Sequence, residues 1–152
     1  MGRAKKKSFS YEYPRPAVTV DVVVVTREDR PRVLLIQRKA DPFASLWALP
    51  GGFVNESEPI AVAARRELLE ETGMTLIDLE QLHTFGDPDR DPRGWTISVA
   101  FLARIEPDDA KAKAGDDAAD AQWFPIDALP GLAFDHDRIL ERAKVRMRDR
   151  SV

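Results

Sequence analysis

The sequence predicts an α/β fold in which a mixed β-sheet is clasped between helices as an α/β/α sandwich. Three observations carry that expectation. Val18–Thr26 is a nearly continuous β-branched run, as in a strand buried on both faces. From about Glu58 or Pro59 to Thr72 the chain reads as one helix stopped by Gly73. Around these, strand-like stretches interleave with only one further strong helical segment, Asp135–Arg148.

In order, residues 1–8 form a basic tail whose Lys5-Lys6-Lys7 run reads as solvated rather than as a nucleic-acid contact. From Phe9 to Tyr13 aromatics alternate with Ser and Glu, which predicts an edge strand or an arm laid on a partner subunit. After Val18–Thr26, Glu28–Arg32 supplies turn residues and Val33–Arg38 returns as a second strand. Leu46–Leu49 is a short strand that Pro50-Gly51-Gly52 ends sharply. Asn55 or Ser57 is the expected cap of the following helix. Ala61, Val62, Leu68 and Leu69 should form the side that packs on the sheet. Leu79–Gly86 and Trp95–Ile105 read as strands separated by the polar loop Asp87–Gly94. Pro107–Asp120 is an acidic loop or irregular helix, Gln122–Phe124 a short strand, and Asp135 the cap of the closing helix. Without an internal repeat or a dividing linker, residues 9–152 are expected to form a single domain.

With 152 residues, 43% of them hydrophobic, the chain can bury a substantial core. Cysteine is absent, which excludes disulfides and thiolate metal sites and fits a reducing cytoplasm. No apolar run approaches the roughly 20 residues that span a bilayer, and MGRAKKKSFSYEY lacks the apolar centre of a secretory signal. A net charge of −3 argues against a general nucleic-acid coat.

The chemistry concentrates between Gly52 and Met74. On a helix Glu67, Glu70 and Glu71 stand at i, i+3 and i+4 and cluster on one face. Two unit charges ~5 Å apart repel by ~3 kcal/mol at an effective dielectric of ~20. Fold stability does not call for such a cluster, but a hard divalent cation does, and oxygen-only ligands suit Mg²⁺ or Mn²⁺.

This segment resembles the signature of Nudix hydrolases, G-x5-E-x7-R-E-U-x-E-E-x-G-U with U a bulky aliphatic residue. All specified positions match: Gly52, Glu58, Arg66, Glu67, Leu68, Glu70, Glu71, Gly73 and Met74. LWALPGGFV, RDPRG and LAFDH extend the resemblance, which points to the branch handling ADP-ribose and related pyrophosphates. It implies a Nudix-type sandwich, a homodimer, and metal-dependent attack of water on a pyrophosphate, taking ADP-ribose to AMP and ribose 5-phosphate. It also implies that Glu67, Glu70 and Glu71 hold the metal, with a peptide carbonyl near Gly51 and Gly52 as an added ligand. Arg66 would orient Glu70, and Glu58 would either support the site or favour the helix dipole.

The general base is open among Glu67 and the loop acids Asp87, Asp89, Asp91, Asp116, Asp117 and Asp120. The resemblance favours Asp116 or Asp117, in GDDA, as base or auxiliary ligand. Arg38, Arg90 and Arg93 offer forks for phosphate oxygens, with Asp91 as their partner in the empty site. Trp47, Phe53 and Trp95 are candidates to stack on a base, against a plain core role. His83 and His136 are too far apart for a relay, and His136 reads as structural. Competing functions are a pyrophosphatase for an oxidised nucleotide, a dinucleoside polyphosphate or a capped RNA end, and a non-catalytic sensor of NAD-related metabolites. The complete glutamate set, and a chain that ends soon after the closing helix, favour catalysis over sensing.

Overall fold

A computed structural model describes residues 8–75, 78–110 and 120–149. Its strands are β1 (Ala17–Thr26), β2 (Arg32–Gln37), β3 (Trp47–Ala48), β4 (Gly51–Phe53), β5 (Glu80–Phe85), β6 (Thr96–Ile105) and β7 (Asp120–Pro125). The helices are α1 (Ile60–Thr72) and α2 (His136–Asp149), with one turn of 3₁₀ helix at Pro107–Asp109. All seven strands join one mixed sheet with the central order β3-β2-β1-β6-β5. β1 runs parallel to β6 along its whole length, from Ala17 opposite Thr96 to Thr26 opposite Ile105. Its other edge is shared, by β4 at the start and by β2 at the end.

The valine run of β1 explains the layers. Side chains alternate across a strand, so Val20, Val22 and Val24 pack with Leu34, Ala63, Ala64 and Leu68 under α1. Val23 and Val25 point the other way and pack with Leu35, Ile139, Leu140 and Ala143 under α2. The expected α/β/α sandwich is therefore present. Asp21 falls on the α2 side of this alternation, as do Ser98, Ala100 and Leu102 of β6.

Several local expectations need correction. Phe9–Tyr13 is not a strand. Pro14 and Pro16 follow it and lack the N–H groups that would extend a ladder into β1. Its rings stack on themselves instead, Phe9 on Tyr11 at 6.4 Å, with the Arg15 guanidinium 4.0 Å from the Tyr11 ring centre. Neither Asn55 nor Ser57 caps α1: Pro59 occupies the cap position with no side-chain bond. The fixed φ of proline suits a helix entry. Gly51 and Gly52 do not merely end a strand but form β4 against β1.

The packed face of α1 also differs. Leu68 is buried as expected, but its companions are Ala63, Ala64, Glu71 and Thr72, whereas Val62 is 48% and Leu69 51% exposed. Two adjacent alanines let the helix lie close to the sheet, and that contact fixes its rotation more firmly than hydrophobicity does. At 100° per residue the rotation sets Glu67 and Glu71 between Ala63 and Ala64, within the packed stripe rather than beside it. Gly73, at φ 73, closes the helix through its N–H to the Leu69 carbonyl. At the other helix, Asp135 directly precedes α2, and its carboxylate is taken by Arg90.

Candidate functional site

A cleft of about 200 Å³ opens beside the β1–β4 pairing and is bordered by Asp21, Arg38, Gly51, Gly52, Glu71, Arg90, Asp91, Arg93, Phe134 and His136. Its acidic wall comes from α1. The three glutamates, of which Glu67 and Glu71, one turn apart, are the favoured metal pair on sequence, occupy very different surroundings. Glu70 leaves 47% of its side chain exposed, Glu67 14%, and Glu71 as a residue is only 7% exposed.

Arg66 organises the outer two. Its Nε and Nη2 clasp Glu58 at 2.7 and 2.9 Å, and Nη1 reaches Glu67 at 2.8 Å and Glu70 at 3.2 Å. Nη2 also donates to the Phe53 carbonyl at 3.0 Å, so one guanidinium ties β4 to three carboxylates of α1 and its approach. Glu58 further accepts the Asn55 N–H at 3.1 Å. These bonds hold Glu58 below the ordinary carboxylate range, chiefly through Arg66, and raise Arg66, chiefly through Glu58.

Glu71 sits deeper. The Gly51 N–H approaches its Oε1 at 3.4 Å, and its Oε2 is buried without a hydrogen-bond partner. Burial, followed by the charge and hydrogen bond of Glu67, pushes this carboxyl up to about 9. The glycines make the approach possible. A Cβ on Gly51 would stand 2.1 Å from the Val20 carbonyl oxygen, and one on Gly52 2.5 Å from a Glu67 carboxylate oxygen. Among the described residues no three Asp, Glu or His side chains converge as a formed metal centre. The donor set nonetheless fits a hard dication: an orphaned buried carboxylate oxygen beside a second carboxylate, with no nitrogen or sulfur ligand.

The floor was not foreseen as a unit. Asp21 accepts a short hydrogen bond from the Ser98 hydroxyl and lies 3.3 Å from His136 Nε2. His136 Nδ1 accepts the Leu49 N–H at 3.0 Å, which assigns the ring proton to Nε2, facing Asp21. Burial works to raise the Asp21 carboxyl, but His136, Ser98 and Arg90 together outweigh it and leave it lowered. This trio pins α2 to the centre of the sheet and to the residue preceding the Pro50-Gly51-Gly52 turn.

The opposite wall is basic and aromatic. Arg90 forms a two-pronged pair with Asp135 at 2.6 and 3.0 Å rather than with Asp91. Arg93 pairs with Asp91, Nη2 to Oδ2 at 2.8 Å and Nε to Oδ1 at 3.1 Å. Arg38 donates from Nε to the Pro42 carbonyl at 2.8 Å. Its guanidinium and that of Arg93 both lie over the Phe134 ring.

Of the residues singled out from sequence, Gly51, Gly52, Glu71, Arg38, Arg90, Asp91 and Arg93 thus meet at one cleft, with Glu67, Glu70, Arg66 and Glu58 behind its acidic wall. Trp47 does not: its ring packs edge-on to Phe124 at 4.8 Å, part of the α2-side core. Phe53 lies outside the lining but carries the Arg93 guanidinium 4.7 Å from its ring centre, and Trp95 is exposed. Asp116 and Asp117 lie outside the described residues. Sequence reasoning missed Asp21, Ser98 and Phe134 as parts of this cleft and its floor, read Asp135 only as a helix cap, and read His136 as structural, in keeping with its bonds to Leu49 and Asp21. One signal was available: an aspartate inside a valine run is a buried charge that demands partners.

Comparison with known proteins identifies the family. The family model described as the NUDIX domain matches residues 15–143. The chain is 43% identical over 129 residues to an ADP-ribose pyrophosphatase of Methanocaldococcus jannaschii, covering 85% of this chain and 73% of that protein. It is 37% identical to the ADPR responsive transcriptional repressor NtrR of Acinetobacter baylyi, covering 92% of this chain but only 58% of the repressor. Among solved structures, the NUDIX domain of Shewanella oneidensis NrtR complexed with ADP ribose superposes with a TM-score of 0.82 at 35% identity, covering 89% of this chain and 90% of that one. With a matching family model over most of its length and a relative 43% identical and covered to 73%, the chain belongs to the NUDIX family.

Proposed function

We propose that this protein hydrolyses the pyrophosphate bond of ADP-ribose, or of a closely related nucleoside diphosphate derivative, to AMP and a sugar phosphate. One observation carries the reading. The buried, unpartnered carboxylate oxygen of Glu71 faces a cleft whose other wall presents Arg38, Arg90 and Arg93. A cation-seeking group and phosphate-seeking groups thus border the same space. The similarity to an ADP-ribose pyrophosphatase supports the substrate.

Glu67, Glu70 and Glu71, with the Gly51 carbonyl, would hold Mg²⁺ or Mn²⁺, which when bound neutralises the phosphoryl oxygens and acidifies water. The chain's own residues supply the rest. Arg66 fixes where the Glu67 and Glu70 carboxylates point, through bonds of 2.8 and 3.2 Å. Arg38, Arg90 and Arg93 orient the diphosphate with planar forks. Water attacks one phosphorus, the bridging P–O bond breaks, and the water proton passes to a carboxylate. Glu67, next to Glu71 on the acidic wall, is one acceptor this reading allows, and Asp116 or Asp117 are the alternatives suggested by the family resemblance. The exposed Phe9, Tyr11 and Tyr13 support a homodimer as the working form, and the cysteine-free composition supports the cytoplasm as its compartment.

The test is AMP release from ADP-ribose with Mg²⁺ or Mn²⁺, compared between the wild type and Glu71→Gln. Loss of a group that stabilises transition-state charge costs about 10²–10³ in rate, and a drop of that size is expected. No AMP above background with either metal would remove the hydrolase reading. The likeness to the ADPR-responsive repressor favours one other reading, a metabolite sensor. Tight ADP-ribose binding with Mg²⁺ present and no turnover would establish it.

A further inference from the structure

Phe134 has no part in the reaction above, yet its geometry is unusual in two respects. Its backbone stands at φ 52, a left-handed conformation that a bulky side chain adopts only when its surroundings enforce it. Phe43, also left-handed at φ 62, meets it edge to face with 4.9 Å between ring centres. The ring is therefore braced by Phe43. Two cations share it: the Arg38 guanidinium carbon lies 4.9 Å from the ring centre and that of Arg93 5.0 Å.

Two guanidinium groups gathered on one ring repel each other, and only one is neutralised. Arg93 is paired with Asp91. Arg38 makes no salt bridge among the described residues and donates to backbone carbonyls of Pro42 and Ala40. The π-face of Phe134 offsets part of the repulsion, because the ring quadrupole attracts both cations. What remains is one surplus positive charge, and Arg38, Arg93 and Phe134 all border the cleft. A ring already shared by two guanidinium groups is poorly placed to stack on a base.

Resting on the function proposed above, we infer that Phe134 is a positioning residue that confers specificity for a diphosphate. Its ring holds Arg38 and Arg93 together as a two-cation fork, and the diphosphate of the substrate meets the fork's surplus charge. The backbone strain at residue 134 is the structural cost of aiming the ring there.

The test is calorimetric binding of two probes, ADP-ribose and inorganic pyrophosphate, to the full chain without metal. The variants are Phe134→Leu, Phe134→Gly and Phe134→Tyr. Glycine adopts a positive φ freely, so Phe134→Gly decides the matter should the leucine variant fail to fold. Losing two cation–π contacts is expected to weaken both probes about tenfold, while tyrosine, which keeps the ring, restores binding to within about twofold. With metal present, Phe134→Leu should raise KM far more than it lowers kcat. Wild-type affinity for pyrophosphate in the leucine and glycine variants would overturn the inference. So would a loss confined to ADP-ribose, since the ring would then be touching the nucleoside. Ring-dependent binding without turnover supports the fork while removing the hydrolase reading. Binding of neither probe by the wild type overturns the fork, while the hydrolase reading stands or falls on AMP release with metal.

Discussion

The two walls of the cleft are built in opposite ways. The acidic wall is local: Glu67, Glu70 and Glu71 lie within two turns of α1, and a single residue from the same helix, Arg66, orders two of them. The basic wall is assembled from three separated stretches. Arg38 follows β2, Arg90 and Arg93 belong to the loop before β6, and Phe134 and Asp135 precede α2. Each arginine of that loop is anchored by a carboxylate, Arg93 by its neighbour Asp91 and Arg90 by Asp135, 45 residues away. A helix turn is enough to concentrate carboxylates. Bringing the arginines together takes the whole fold.

This difference predicts that the walls can be damaged separately. Arg66→Lys keeps the positive charge but cannot bond Glu58, Glu67, Glu70 and the Phe53 carbonyl together, because an ammonium lacks the planar fork. Removing an outer support of this kind typically costs 10–100-fold in metal affinity, so Mn²⁺ binding should weaken by at least about tenfold. Metal-free ADP-ribose affinity should stay within about twofold, since Arg66 does not border the cleft. Arg90→Lys, which breaks the two-pronged bond to Asp135, should reverse the pattern. Titrations of both ligands against both variants read this directly. Equal loss of metal and nucleotide in either variant would erase the distinction between the walls.

The same contrast marks what could be read from sequence. The acidic wall was legible because helix periodicity converts spacing into proximity: i, i+3 and i+4 suffice to cluster Glu67, Glu70 and Glu71. Their unequal burial was not, because it depends on how α1 rotates against β1, and Ala63 and Ala64 decide that by their size. The sandwich was legible in the valine run, since only a strand covered on both faces tolerates it. The partners of Asp21 were not, because Ser98 and His136 lie 77 and 115 residues further along and meet it only once β6 and α2 are in place. Arg38, Arg90 and Arg93 were recognisable as phosphate-seeking groups, but Phe134, which gathers two of them, carries no spacing relation to either.

A smaller effect should separate the walls by pH. Burial, followed by the charge of Glu67, pushes the folded Glu71 carboxyl up to about 9, against 4.5 for an ordinary glutamate. Between those values the folded protein holds a proton that the unfolded chain releases, so stability falls as pH rises through this window. Asp91 behaves in the opposite sense. Burial works to raise it, but the hydrogen bonds and charge of Arg93 leave it below its ordinary value of 3.8. Its contribution is present above that value and is lost as pH falls through the lower, folded value. Metal-free protein should therefore melt several degrees lower at pH 9 than at pH 5, and Glu71→Gln should flatten that slope. A melting temperature that does not change across this window would mean that Glu71 is not held protonated. Added Mg²⁺ or Mn²⁺ should raise the high-pH melting temperature most, because a dication stabilises the ionised form.

The smallest expected effect, that of a substitution at Leu69 set against its neighbour Leu68, tests the rotation on which the acidic wall depends. Leu68 and Leu69 are adjacent and identical in chemistry, but Leu68 is wholly buried in the core under α1 while Leu69 is 51% exposed. Leu68→Ala leaves a cavity beside Val22 and Val24 and should cost about 2–5 kcal/mol. Leu69→Gln keeps a good helix former on a half-exposed face and should stay within about 0.5 kcal/mol. Chemical denaturation of the two variants compares them on one scale. Were the costs similar, α1 would be turned by some tens of degrees from the orientation described. Glu71 would then leave the packed stripe for solvent, and its unpartnered oxygen would no longer be buried. A near-silent Leu69→Gln beside a damaging Leu68→Ala would fix the rotation that sets Glu71, alone of the three glutamates, inside the cleft.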